Sequence, residues 1–128
     1  MDIGHEIESG QIIIKDSKIL IALMERRYHP LLIRIIADVA KQHGIVLTEA
    51  WREPPRHIND LHARGRAIDL RSWCYPDKLA YEIRHQINTK WEYDPQRPEK
   101  DCAIIHKVNG GALHFHIQVH PHTRRRAA

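Results

Sequence analysis

The sequence predicts an α+β domain with a small, mainly antiparallel sheet flanked by helices. Three observations carry that expectation. Helical periodicity dominates the first third of the chain, strand-like alternation recurs on both sides of a further helix, and Asn109-Gly110-Gly111 reads as the turn of a short hairpin. A length of 128 residues fits one domain around one core, so residues 1–128 are read as a single unit with its motifs between 47 and 119 and a tail at 120–128.

The elements follow in order. Asp16 and Ser17 suit the N-cap of a short helix through Arg26, whose apolar residues nearly surround it and predict a core-forming segment. Pro30 fits a first helical position, Leu32, Ile35, Ile36, Val39 and Ala40 recur at helical spacing, and Gly44 supplies the stop. Ile45 to Thr48 then reads as a strand running into Glu49-Ala50-Trp51-Arg52. Glu53 to Arg64, with Pro54, Pro55 and Asn59, has no clear period and predicts an irregular loop.

Arg66 to Trp73 alternates as a strand, with Ala67, Asp69 and Arg71 on one face and Ile68 and Leu70 on the other. Pro76 and Asp77 open a helix carrying Leu79, Ala80, Ile83 and Ile87. The polar stretch Trp91 to Asp101, with Pro95 and Pro98, predicts a surface loop. Ala103–Val108 and Ala112–Val119 complete the sheet as a hairpin.

Composition excludes several function classes. Lysine and arginine (20) exceed aspartate and glutamate (16) by only +4, and the run Arg124 to Arg126 at the solvated end supplies much of that, so charge gives no case for nucleic-acid binding. The longest apolar run, Ile19 to Met24, is six residues, too short to span a bilayer. Met1 to Gly10 carries three acids and no apolar stretch, so no signal peptide is expected, and synthesis in the cytoplasm follows. Action at the cell wall would then follow release. Cys74 and Cys102 lack paired spacing and are expected as thiols, although Cys74 lies only five residues after Asp69.

Eleven histidines are the first pointer to chemistry, because imidazole is a common metal ligand. In Leu113-His114-Phe115-His116-Ile117-Gln118, alternation puts His114, His116 and Gln118 on one strand face. His62 lies seven residues before Asp69, and Gly65 between them allows a turn that swings the imidazole back toward the carboxylate. An aspartate among Ala67, Ile68 and Leu70 is costly to bury unless an arginine pairs with it or it binds a metal. With one of the strand histidines the set becomes His, Asp, His, whose N/O chemistry suits zinc with a fourth position for water.

These residues resemble a known family. His62-x-x-Gly65-x-Ala67-x-Asp69 followed by His114-x-His116 is similar to the LAS-type zinc peptidases, named for lysostaphin, the D-Ala-D-Ala carboxypeptidases and the Hedgehog domain, and specifically to peptidase family M15. The resemblance spans roughly Leu47 to Val119 and implies a Hedgehog/DD-peptidase-like fold. It implies Zn2+ held by His62, Asp69 and His116, with His114 as the catalytic-side histidine. It also implies that Arg52, in Ala50-Trp51-Arg52-Glu53, binds a substrate carboxylate or polarises the scissile carbonyl. Glu53 is an alternative base to His114. The chain departs from the family pattern at Asp60, where serine is usual, and at Glu53, which follows Arg52 in place of serine.

The implied partner is a peptidoglycan stem peptide or another D-amino-acid-containing peptide, cleaved by a carboxypeptidase or an endopeptidase, as in L-alanyl-D-glutamate endolysins of phages. Neither nucleic acid nor membrane insertion is expected, and the oligomeric state is open. The alternatives are a cytoplasmic D-amino-acid dipeptidase and a non-catalytic zinc-binding module of the Hedgehog type. A cupin-like site using both His114 and His116 leaves His62 and Asp69 unexplained. Of the other histidines, His106 is expected in the core or behind the ligands, His57 in the loop beside the site, and His120 and His122 past the last strand; Trp51 and Trp73 are expected to pack.

Overall fold

The computed structural model describes residues 7–72, 74–107 and 113–127. Trp73 and the Asn109-Gly110-Gly111 turn therefore lie outside the described residues. The chain is α+β: three helices and a mixed five-stranded sheet, with a second two-stranded ribbon.

Helix α1 spans Ser17–Glu25, and the Asp16 carboxylate accepts a hydrogen bond from the Ile19 N–H at its start. Only Ile19 is buried; Leu20, Ile21 and Met24 are exposed. The helix is thus not the core segment that its composition predicts, because it packs one stripe against the edge of the sheet. Helix α2, Pro30–His43, buries Leu32, Ile35, Ile36, Val39 and Ala40, the periodic set read from the sequence. Its first turn is capped by the His29 ring, which accepts from the Leu31 N–H.

Gly44 ends α2 with φ +71°, and a Cβ there would stand 2.2 Å from Ile7 Cγ2 and 2.3 Å from the Glu8 carbonyl oxygen, so only glycine fits. Helix α3, Asp77–Lys90, buries Ala80, Ile83 and Ile87.

The strands are β1 (Ile12–Ile14), β2 (Ile45–Glu49), β3 (Ala67–Arg71), β4 (Trp91–Glu92), β5 (Ala103–Lys107), β6 (Leu113–Gln118) and β7 (Arg124–Arg125). The main sheet has the order β1-β2-β3-β6-β5. Its pairings are antiparallel except β1 with β2, so a short edge strand not expected from the sequence makes the sheet mixed.

Register divides the sheet into two faces. Ile68 pairs with Ile117 and Leu70 with Phe115, and these residues pack with α2 and α3 into the core. One step along, Asp69 pairs with His116 and Arg71 with His114, so alternation turns the candidate site to the opposite face. The strand positions expected from the sequence are present: β2 runs one residue further, to Glu49, while β3 begins one residue later and β6 ends one residue earlier than expected.

Two connectors differ from expectation. The Glu53–Arg64 loop ends in a 3₁₀ turn, Leu61–Arg64, rather than staying irregular throughout. The stretch after α3 is also more than a surface loop: Trp91, Tyr93 and Asp94 are buried, and Trp91–Glu92 pairs with Arg124–Arg125. The chain end is consequently held rather than loose. The Arg124 to Arg126 side chains are solvated, but Thr123 is buried and donates its hydroxyl to the Tyr93 carbonyl at 2.7 Å.

No described helix is long and apolar enough to cross a membrane. No disulfide forms among the described residues, and Cys74 and Cys102 are buried thiols. Phe115, fully buried in the sheet, is the sharpest test of this core. Phe115→Ala is expected to cost roughly 3–5 kcal/mol in denaturant unfolding, and Ile58→Ala, at a position 86% exposed, less than about 0.5 kcal/mol.

Candidate metal centre

His62, Asp69 and His116 come together although they are far apart along the chain. Asp69 Oδ1 lies 3.2 Å from His62 Nε2 and 2.9 Å from His116 Nδ1, and the two imidazole centroids are 5.3 Å apart. Their ligand atoms lie within 4.8 Å of one another, a spacing that can hold one metal ion. His62 is 2% exposed, Asp69 9%, and His116 is half-buried.

Each histidine is set by a different piece of local structure. His62 sits in the 3₁₀ turn, which Asp60 caps by accepting from the His62 N–H and which Gly65 closes at φ +68°. A Cβ at Gly65 would lie 2.4 Å from the Arg27 carbonyl oxygen, so the expected turn does depend on glycine. Strand β2 contributes a bulge: Leu47 pairs with Leu70 and Glu49 with Asp69, leaving Thr48 as the extra residue. Just beyond the bulge, the carbonyl of buried Ala50 accepts a hydrogen bond from His62 Nδ1 at 2.9 Å.

His116 is fixed in a similar way. Gln118 donates its amide NH₂ to the Asp101 carbonyl at 2.9 Å, which turns Oε1 toward His116 Nε2 at 3.1 Å. Both acceptors are oxygens, so the proton of each neutral ring is assigned to the nitrogen facing away from Asp69. The lone pairs of His62 Nε2 and His116 Nδ1 therefore converge on a carboxylate oxygen. Three lone-pair carriers at 2.9 and 3.2 Å repel unless protons or a cation lie between them. A single divalent ion satisfies all three at once, and the ring contacts to Ala50 and Gln118 are the outer hydrogen bonds that metal-bound histidines require.

Burial alone would raise the Asp69 carboxyl; when protons rather than a cation fill the space between the groups, hydrogen bonds from the protonated His116 and His62 rings and their positive charge outweigh it and hold Asp69 well below the ordinary carboxylate range. The arginine pairing that would also have explained this buried acid is not what the structure shows. Its neighbours are the two imidazoles.

The triad opens on a cavity of about 800 Å³. Arg52 lines it, and its Nη1 contacts both carboxylate oxygens of Asp60 at 3.1 and 3.0 Å, while Nη2 lies 3.7 Å from Glu49. Asp60 was legible only as a departure from the family serine; in the fold its buried carboxylate joins Arg52, the Arg56 N–H and the His62 N–H. Burial would raise its carboxyl, and the hydrogen bonds from Arg56 and Arg52 with the Arg52 charge lower it on balance.

His114 is on the same strand face as His116 but does not line the cavity; its Nδ1 stands 3.4 Å from the Thr48 hydroxyl. His106, its cross-strand partner, does line it, with its ring edge-on to His116 at 5.9 Å. Of the two placements expected for His106, the one beside the ligand candidates is what the structure shows, and not the core one, because its strand turns this position to the site face. Burial of its ring, helped by the positive charges of His116, His114 and His62 against Asp69, holds it below the ordinary imidazole value. Glu53, like His114, does not line the cavity, and it pairs with Arg26. His57 lines the cavity as expected, and the Trp51 ring packs edge-on against Tyr28 while the Trp51 backbone N–H donates to the Tyr28 hydroxyl.

No protein-family model, curated protein or solved structure matches the chain. The assignment of this centre therefore stands on its geometry.

A second group, Asp94, His120 and His122, is spaced closely enough to hold an ion, yet its chemistry is poorer. His120 Nδ1 accepts from the His122 N–H at 3.0 Å, so the neutral ring carries its proton on Nε2, the atom facing Asp94. Asp94 is already engaged by the Gln96 N–H and Arg97.

Two outcomes test this geometry. Gln118→Leu should weaken binding of a divalent metal by about 10–100-fold in a chelator-competition titration, and Asp69→Ala should abolish it. Because Asp60 has a depressed carboxyl pKa, its stabilising contribution is complete above the ordinary carboxylate range and is lost as pH falls below it. The stability gap between the native protein and Asp60→Asn, measured by denaturant unfolding, should therefore be widest near neutral pH and shrink on acidification.

Proposed function

We propose that this protein is a zinc-dependent peptidase of the M15 type, with a Hedgehog/DD-peptidase-like fold, that hydrolyses amide bonds in peptidoglycan stem peptides. The observation that carries the proposal is the convergence of two ring lone pairs on the Asp69 carboxylate, each ring locked by an outer oxygen acceptor, on the wall of a cavity. A histidine, aspartate and histidine set of this kind is the ligand chemistry of catalytic zinc, whereas structural zinc is closed by four protein ligands, often cysteines. Cys74 and Cys102 belong to the apolar core and not to the lining of this cavity. The order of the motifs along the chain supports the family resemblance.

Zinc bound by His62, Asp69 and His116 would supply Lewis acidity to a carbonyl oxygen and acidify a water molecule. The chain's own groups do the rest. Arg52, held by Asp60, presents a fixed positive charge to the cavity, where it orients a substrate oxygen and steadies negative charge developing on the scissile carbonyl. His114 and His106 stand side by side on neighbouring strands, so an imidazole is at hand to take a proton and return it to the leaving amine. The lowered basicity of His106 keeps its ring neutral, and hence able to accept, at neutral pH.

One observation favours the non-catalytic zinc-binding reading: His114, to which the resemblance gives the catalytic role, rests against Thr48 and not on the cavity wall. Digestion of purified peptidoglycan with the zinc-loaded protein, followed by mass spectrometry of the fragments, separates the two. The peptidase reading expects cleaved stem peptides and a fall in kcat of about 100-fold or more for His114→Gln or His106→Gln with zinc content retained. Intact stem peptides with a full complement of zinc would overturn it.

A further inference from the structure

We propose that Arg66, together with Arg97 and Lys100, forms an anion subsite in the cavity that takes a substrate carboxylate remote from the scissile amide, so that the protein selects acidic peptides. This deepens the peptidase reading above and rests on it. The inference comes from accounting for charge in the cavity, whose lining holds five permanent cations, Arg52, Arg56, Arg66, Arg97 and Lys100, and two acids, Asp60 and Asp69.

Both acids are already engaged. Asp60 is held by Arg52, and Asp69 faces the two imidazoles. Of the remaining cations, Arg97 has a partner in Asp94. Arg56, Arg66 and Lys100 have no acid within 4.0 Å among the described residues. Arg56 and Lys100 are exposed, where water serves as partner.

Arg66 differs because it is half-buried at the entry to β3, where its carbonyl accepts from the Val119 N–H at 2.9 Å. A guanidinium partly removed from water with no anion carries a desolvation cost that a bound carboxylate offsets through two parallel N–H···O bonds.

The surroundings of Arg66 define the subsite. Tyr93 lines the same cavity as Arg66 and Arg97, and the charges of these two arginines oppose the upward push that burial gives its hydroxyl. Arg97 Cζ lies 5.9 Å from that ring's centroid. Lys100 is tied to the same turn, its N–H donating to the Arg97 carbonyl at 3.0 Å. Arg52 does not serve in their place: its Nη1 is bound to Asp60, and the reading above commits its charge to the oxygen of the scissile carbonyl. The ligand class follows from scale: three cations on the wall of one cavity match a single carboxylate group, whereas a polynucleotide needs a track of cations along its backbone.

The test compares two short D-amino-acid peptides that differ in one group, a free side-chain carboxylate or its carboxamide, as substrates of the zinc-loaded protein. The native protein should favour the acid in kcat/KM by roughly tenfold, the size of one charge-assisted hydrogen bond. Arg66→Gln should bring that ratio close to one, mainly through KM, and Arg66→Lys should recover part of it. A native ratio near one, or a ratio that Arg66→Gln leaves intact, overturns the subsite while the peptidase reading stands.

If neither peptide is cleaved, calorimetric binding to the same zinc-loaded protein decides. Tighter binding of the acid that depends on Arg66 upholds the subsite while the peptidase reading falls, and equal binding of acid and amide overturns both.

Discussion

A carboxylate placed between two imidazoles whose outer nitrogens are already committed is the constraint around which this structure is arranged. Asp69 stands on a strand whose other face is core, so it cannot withdraw to water without dislodging Ile68 and Leu70. His62 is held by the Ala50 carbonyl and His116 by Gln118, so neither ring can rotate freely to relieve the contact. The fold stores an electrostatic demand that a divalent ion meets. The sheet supplies the rigidity, because adjacent register positions alternate between apolar packing and ligand atoms with no intervening loop.

Asp60 links this centre to the rest of the cavity. One buried carboxylate caps the turn that carries His62, receives the Arg56 N–H and anchors the Arg52 guanidinium. A serine at this position could accept for the turn but could not neutralise Arg52. Asp60 therefore sets the charge balance of the cavity without touching Asp69 or the two imidazoles. In the proposed reading specificity and metal binding are separable: His62, Asp69 and His116 lie on β3, β6 and a short turn, and Arg66 and Lys100 lie at the strand entry and on the loop after β4.

How much of this was legible in the sequence depended on where each signal resides. His62, Asp69 and His116 could be read because alternation and a turn glycine constrain side-chain direction locally. The periodic faces of α2 and α3 were visible for the same reason. The outer partner of His62 was not visible, since the Ala50 carbonyl is a backbone group that every residue possesses. Gln118 was placed on the correct face, but its role depends on Asp101, seventeen residues away and brought close only by the β5–β6 pairing. Strand β1 and the β4–β7 ribbon escaped because two or three residues form no period, and because charged Arg124 and Arg125 conceal a strand held by its backbone. The location of His106 depended on which side of the sheet the helices cover, which alternation alone does not specify.

The fastening of residues 123–126 onto Trp91, Glu92 and Tyr93 has a practical consequence. The segment bearing Tyr93, Asp94, Arg97 and Lys100 is clasped from behind by the polypeptide's last turn, through the Thr123 hydroxyl and the Arg124 and Arg126 contacts to Glu92. Trimming those final residues to tidy a recombinant protein would slacken one wall of the cleft without touching a ligand. In the proposed reading, metal uptake survives the loss of residues 123–126 while discrimination between ligands degrades.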